Sequence, residues 1–194
     1  MNDGRQIATL ILAAGSSNRL GRPKQLLPYR GSNLLRHAAE TALEADLGPV
    51  FVVLGCRAEE CRETLVGLPL EIVVNTAWEE GLGTSISAGM RCIDEASFRA
   101  VLITLCDQPR ITAIDLQAIA TALEGSDIVA SDSGDAAGPP AIFNASCFPQ
   151  LRVLRGQHGA RAMFSSCTNL KTIPCARAAV DVDTETDVAN LQSI

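Results

Sequence analysis

Four stretches of the chain hold residues whose types and spacing could do chemistry. The first is Leu12-Ala13-Ala14-Gly15-Ser16-Ser17-Asn18-Arg19-Leu20-Gly21-Arg22-Pro23-Lys24-Gln25-Leu26-Leu27-Pro28. Small residues around Gly15 let a ligand approach backbone N–H groups, and Arg19, Arg22 and Lys24 supply charge to hold phosphates. The spacing is neither that of a Walker A loop nor G-x-G-x-x-G. On spacing alone the segment serves equally well as a strand-to-helix turn with solvated basic residues. One fact favours function: Lys24 and Lys171 are the only lysines among 16 basic residues. A compact ammonium kept in so arginine-biased a chain points to a position that needs one.

The second stretch is Val101-Leu102-Ile103-Thr104-Leu105-Cys106-Asp107-Gln108-Pro109. A carboxylate just past an apolar strand lies at the carboxyl edge of a sheet, where open α/β folds bind ligands. Asp107 there suits Mg²⁺, which nucleotide sites hold with one or two carboxylates plus phosphates. A turn or cap aspartate before Pro109 is the alternative, and the place at the strand end favours function. The third stretch is Asp181-Val182-Asp183-Thr184. Read as a strand, it turns Asp181 and Asp183 to one face, as a second half of a metal site. The same acids equally suit the N-terminus of a following helix. The fourth runs from Asn75 through Trp78, Gly81, Thr84 and Ser85 to Gly89. A glycine-rich loop opening a helix at Thr84 offers N–H groups and hydroxyls to a nucleotide. Ser85 and Ser87 lack the Gly-x-Ser-x-Gly context of a hydrolase.

These residues need elements to position them. Strands are expected at Thr9–Ala13, Val50–Leu54, Glu71–Asn75, Ala100–Leu105, Asp127–Ser131, Ala141–Asn144, Leu170–Pro174 and Val180–Asp183. Several are continuous apolar runs, as in central parallel strands covered on both faces. Helical periodicity falls at 34–45 and 114–123, and Thr112/Asp115 and Thr184/Asp187 form Thr-x-x-Asp capping boxes. Asp132–Pro140 reads as a loop by composition. The alternation predicts an α/β fold with a mainly parallel sheet, built as a single domain over 1–194.

Composition narrows the function. The chain has 194 residues, 47% of them apolar and 20% charged, which fits a globular domain and not a disordered one. Ile7–Ala14 leads into Gly15 and Arg19 without a cleavage site, so it reads as a first strand and not a leader. No apolar run reaches the ~20 residues of a membrane span. Seven cysteines without a C-x-x-C pair, and two distant histidines, support neither a disulfide framework nor a zinc site. A reducing, cytoplasmic setting follows. The net charge of −6 argues against nucleic acid as a partner. The charge is uneven: residues 1–36 hold Arg5, Arg19, Arg22, Lys24, Arg30 and Arg36 against Asp3 alone.

Together the motifs resemble the MobA-like NTP transferases, and within them the molybdenum cofactor cytidylyltransferase branch. The resemblance covers L-A-A-G-x-S-x-R-x-G-x-P-K-x-L-L-P at 12–28 and N-x-x-W-x-x-G…S-x-x-A-G at 75–89. It continues with L-C-D-Q-P at 105–109, G-x-P at 138–140, G-x-x-G-A-R at 156–161 and D-V-D-T-x-x-D at 181–187. It implies a Rossmann-like three-layer fold of the nucleotide-diphospho-sugar transferase type. It implies a reaction in which an acceptor phosphate attacks the α-phosphorus of an NTP and releases pyrophosphate. Carried over residue by residue, Leu12, Ala13, Ala14, Gly15, Lys24, Asn75, Gly81 and Ser85 contact the nucleotide. Arg19, Lys24 and Asp107 are catalytic, and Asp107 and Asp183 bind Mg²⁺. Ala14, where the guanylyl branch has a second glycine, makes CTP the expected nucleotide and molybdopterin the acceptor, with a molybdenum hydroxylase or its chaperone as a possible partner.

Two positions depart from the pattern. Gln157-His158 stands where the family often has an acid followed by another residue, and Glu185 stands where it has proline. The Pro23-Lys24-Gln25 run is also similar to the methylerythritol-phosphate cytidylyltransferases. A sugar-phosphate or polyol-phosphate acceptor is therefore an alternative. A non-catalytic nucleotide-binding accessory protein for hydroxylase maturation is another.

Overall fold

The structure is a computed structural model, and it describes residues 6–134 and 136–191. Nine strands and six α-helices alternate along the described residues. In chain order they are β1 (Gln6–Ala13), β2 (Pro28–Tyr29), β3 (Ser32–Asn33), α1 (Leu34–Glu44), β4 (Val50–Leu54), α2 (Ala58–Thr64), β5 (Glu71–Val74) and α3 (Leu82–Met90). Then follow β6 (Phe98–Leu105), α4 (Ala113–Thr121), β7 (Ile128–Asp132), β8 (Ala137–Asn144), α5 (Phe148–Arg152), β9 (Leu170–Pro174) and α6 (Glu185–Leu191). Seven strands form one sheet in the order β5-β4-β1-β6-β8-β7-β9, and β2 and β3 form a small hairpin.

Continuous apolar runs occupy the centre of the sheet because helices cover both faces. Ile11, Val52 and Leu102 face α1 and α4 through Leu35 and Leu116. Their neighbours Leu10, Val53 and Ile103 face α3 and α5 through Ile86, Met90 and Phe148. Burying a Leu or Ile side chain fully contributes about 1.5–3 kcal/mol, so these two layers supply the main drive for folding. Cys61, Cys106, Cys147 and Cys175 are buried in the same layers as free thiols. The Thr112/Asp115 capping box forms as expected, with the Asp115 N–H donating to Thr112 Oγ1 and Asp115 accepting from the Thr112 N–H. Among the described residues no helix is long and apolar enough to cross a membrane.

β1 pairs in parallel with β4 on one side and β6 on the other. The chain therefore leaves the carboxyl end of β1 at a point where strand order reverses, and a crevice opens there. Leu12 of β1 lies opposite Leu105 of β6, so the loop after Ala13 and the Asp107 segment emerge side by side.

The sheet is mainly parallel, as expected, with β8 running antiparallel to both β6 and β7. Two expectations need correction. Asp132–Pro140 is not one loop: β7 extends to Asp132 and β8 begins at Ala137, with Ala137 and Gly138 paired to Asp132 and Ser131. Val180–Asp183 forms no strand. It is extended coil, tied to the sheet edge by the Val182 N–H donating to Asp107 O at 3.0 Å, with the Val182 side chain buried against Leu20 and Leu27. Arg5 and Asp3 lie outside the described residues.

Candidate active site

The loop after β1 is shaped by one buried side chain. Gln25 is 1% exposed, and its amide nitrogen donates to Ala13 O at 3.0 Å and Gly15 O at 2.7 Å. Ser17, in a left-handed conformation with φ 58°, donates to Gln25 Oε1 and accepts from the Lys24 N–H at 3.0 Å. The loop is thus laced to the turn that carries Lys24. Gly15 itself has no positive φ, and a Cβ there would meet no protein atom within 4 Å. Nothing in the fold demands glycine at 15, and the space beside its backbone is open to an approaching ligand.

Gln25 was not among the site residues expected from the sequence, because its role depends on carbonyls 10–12 positions away. Replacing it by alanine leaves two inward carbonyls without a donor. We expect a loss of about 2–4 kcal/mol in stability and a nucleotide affinity at least about tenfold weaker. Thermal unfolding and nucleotide titration check this; a folded variant with unchanged affinity would remove Gln25 from the account.

The four charged residues expected to do chemistry converge. Lys24 Nζ donates to Asp107 Oδ2 in a close ion pair and to Asp183 Oδ1 at 3.0 Å. Arg19 reaches the other Asp183 oxygen at 2.7 Å. The Lys24 and Asp107 side chains are only 17% and 13% exposed, while Arg19 stands open to solvent. Burial by itself would lower the Lys24 pKa; Asp107 and then Asp183 outweigh it, so the ammonium stays charged well above neutral pH. Asp107 Oδ1 is buried and has no hydrogen-bond partner. A buried carboxylate oxygen without a partner is what a metal ion would satisfy, and Asp183 lies across the same lysine. No cluster of three or more His, Cys, Asp or Glu side chains able to hold a metal occurs among the described residues, so a nucleotide's phosphates would have to complete the shell.

Asp183 arrives at the site without a strand. The Val182–Asp107 hydrogen bond sets it beside Asp107, and the Thr184/Asp187 box holds the start of α6, with Asp187 also accepting from the Asp183 N–H. Asp181 does not share its face: it lines a separate cavity, where burial, with the Asp107 charge adding to it, pushes its carboxyl upward. Arg22, expected among the phosphate-holding groups, is bound twice to Glu185, at 3.1 and 2.8 Å. The departure from the family's proline at 185 thus draws off a basic residue.

Two cavities meet at Arg19, beside this cluster. One, of about 650 Å³, is lined by Leu12, Ala13, Ala14, Gly15, Arg19, Lys24, Trp78, Gly81, Ser85 and Asp107. The other, of about 600 Å³, is floored by Ile86, Ile103, Phe143 and Phe164 and rimmed by His158, Arg161 and Asp181. They share Leu12, Arg19, Leu82, Leu105 and Gln157. Asn75 lines neither. Its amide is buried and donates to Thr84 Oγ1 and Ser85 Oγ at 3.0 and 3.1 Å, so it positions the start of α3. The loop 155–157 abuts that start: the Gly83 N–H donates to Gly156 O at 2.9 Å, and a Cβ on Gly83 would lie 2.6 Å from the Arg155 backbone. The wall between the two cavities is therefore closely packed.

The family model of the MobA-like NTP transferase domain matches residues 9–172. The purine catabolism protein PucB of Bacillus subtilis is 33% identical over 166 residues, covering 81% of this chain and 80% of PucB. The crystal structure of Rv0371c from Mycobacterium tuberculosis superposes with a TM-score of 0.88 at 28% identity, covering 98% of this chain and 99% of that one. The same protein complexed with manganese gives 0.84 at 25% identity, covering 98% of this chain and all of that one. The bifunctional protein GlmU of Azotobacter vinelandii is 29% identical over 177 residues, covering 88% of this chain but 38% of GlmU.

Proposed function

Because the chain belongs to the MobA-like NTP transferase family, we propose that the Lys24–Asp107–Asp183 cluster transfers a nucleoside monophosphate from an NTP to a small phosphorylated acceptor. The observation that carries this is the convergence of one lysine and two carboxylates, with Lys24 and Asp107 lining the cavity of the Gly15 loop. An acceptor phosphate oxygen attacks the α-phosphorus, the α–β bridging bond breaks, and pyrophosphate leaves with its charge. The attacking phosphate is already anionic and needs no general base, so catalysis is positioning and charge neutralisation. The backbone N–H groups around Gly15 face the triphosphate. Lys24 can reach both that cavity and the carboxylates, so it can exchange one anionic partner for another. Asp107 and Asp183 would hold Mg²⁺, which supplies charge neutralisation to the phosphates when bound; the manganese complex of Rv0371c supports a divalent ion in a relative.

For the acceptor, the relatives give broader support to a sugar or polyol phosphate, since GlmU proteins of several bacteria are among them. A second reading is transfer of CMP from CTP to molybdopterin. It is supported by the floor of the second cavity, where Phe143 and Phe164 stack at 22° and offer an apolar face to a flat ring system. The exposed Gln157 and His158 put no carboxylate at its rim where the family often has one.

The test is pyrophosphate release with Mg²⁺ and each of CTP, GTP, ATP and UTP against molybdopterin, sugar phosphates and polyol phosphates. Turnover with one acceptor class selects between the two readings. No turnover with any pair overturns the enzyme and leaves a nucleotide-binding accessory protein.

A further inference from the structure

A third cavity, of about 480 Å³, lies between α1, the β2–β3 turn and the start of α4, and shares no lining residue with the two cavities of the active site. Arg30, Arg110 and Arg177 line it, against Glu44 as the one carboxylate of its wall. Arg177 is paired with Asp115 at 2.9 Å. For Arg30 and Arg110 no ion pair occurs among the described residues. In a chain of net charge −6, two unpaired guanidiniums have been gathered into a concavity although carboxylates are plentiful.

Arg30 is also in an unfavourable conformation for its type. Arg30 and Gly31, at φ 48° and 78°, are the two residues that join β2 to β3. Turns with both φ values positive favour Asn-Gly or Asp-Gly, and a long side chain at the first position is strained. The guanidinium lies over the Tyr29 ring, 5.3 Å from its centroid, and the same Tyr29 lines the cavity. Strain kept at an exposed turn where asparagine would relieve it points to a use for the side chain.

We propose that this cleft binds a small phosphate-bearing anion between Arg30 and Arg110. Guanidinium forks match phosphate oxygens in pairs, and the concave shape favours a small ligand over a flat macromolecular face. The cleft is joined to the catalytic strand end. Tyr29 Oη and His37 Nε2 both donate to Pro109 O, at 3.3 and 3.2 Å, two residues from Asp107. Burial lowers the His37 pKa and the Arg30 charge pushes the same way, while the Pro109 carbonyl, Glu40 and Glu44 push against it. A bound anion would therefore be felt at the segment that carries Asp107.

The probe is inorganic pyrophosphate, titrated into wild type, Lys24→Ala and Arg30→Asn/Arg110→Ser, with the two histidine imidazoles followed by NMR. We expect Lys24→Ala to keep a pyrophosphate site that shifts the His37 signal and leaves His158 unmoved. We expect the double variant to bind at that site at least tenfold more weakly. Arg30→Asn alone should unfold at the same or a higher temperature, which a structural role for Arg30 would not allow. Orthophosphate and a sugar phosphate, run in parallel, tell the reaction product from a metabolite as the source. Loss of all pyrophosphate binding in Lys24→Ala would overturn the proposal while leaving the active-site reading intact. So would unchanged binding in the double variant, or an acidic peptide displacing pyrophosphate from the cleft at lower concentration.

Discussion

Lys24→Ala should lower the rate of nucleotidyl transfer by about 10³-fold or more. The ammonium is the one cation that touches both carboxylates of the site and also lines the nucleotide cavity. Arg19 reaches only Asp183 and is largely solvated, so its charge is screened and cannot substitute. The variant also leaves Asp107 and Asp183 facing each other, both mostly shielded from water. We expect a loss of about 1–3 kcal/mol in the ligand-free protein, less than for a fully buried pair because water still reaches Asp183. Divalent metal should restore part of it, because the two carboxylates no longer share an ammonium. Single-turnover kinetics and thermal unfolding with and without Mg²⁺ measure both effects. A rate within tenfold of wild type would show that Lys24 is only a structural counter-ion.

Asp107→Asn should separate activity from stability in the opposite way. The amide has the shape of the carboxylate, and its oxygen can still accept from Lys24. The amide nitrogen then takes the place of the orphaned Oδ1, so the buried, unpaired atom no longer belongs to a charged group. The ligand-free variant should therefore be as stable as wild type or more so, as is common where active sites hold strained charge. Activity should fall about 10²–10³-fold, and Mn²⁺ affinity by at least about tenfold, since even residues behind a metal ligand cost that much. Electron paramagnetic resonance of Mn²⁺ reads the affinity independently of turnover. Undiminished Mn²⁺ binding would move the metal away from Asp107.

The parts of the site legible in the sequence are those whose chemistry is local. Lys24 stands out as one of two lysines, and Asp107 ends an apolar run that can only be a central strand. The core strands were legible too, because residues such as Val50–Leu54 are buried throughout and read as an unbroken apolar run. What the sequence hid depends on long-range contacts. Arg22 looks like a phosphate ligand until Glu185, 163 positions away, takes it. Asp183 was expected from a strand, yet one backbone hydrogen bond to Asp107 places it. Gln25 and Asn75 are polar residues in a loop when read along the chain; in the fold they are buried braces, one for the phosphate loop and one for the start of α3. The reversal of β8 has no local signal, since strand direction is decided by which neighbour it meets. The basic N-terminal segment, uniform along the chain, divides in space: Arg19 and Lys24 join the candidate active site, Arg22 pairs with Glu185, and Arg30 turns to another cleft.

The central claim is that the triphosphate and its metal bind between the Gly15 loop, Lys24 and the two aspartates. A crystal structure of the protein with Mg²⁺ and a non-hydrolysable NTP analogue tests it most directly. We predict phosphate density against the Gly15 backbone and Lys24, a metal ion on Asp107 and Asp183, and the base in the cavity beside Ala13 and Ser85. A nucleotide bound elsewhere, or a triphosphate with no metal on either carboxylate, would contradict the account.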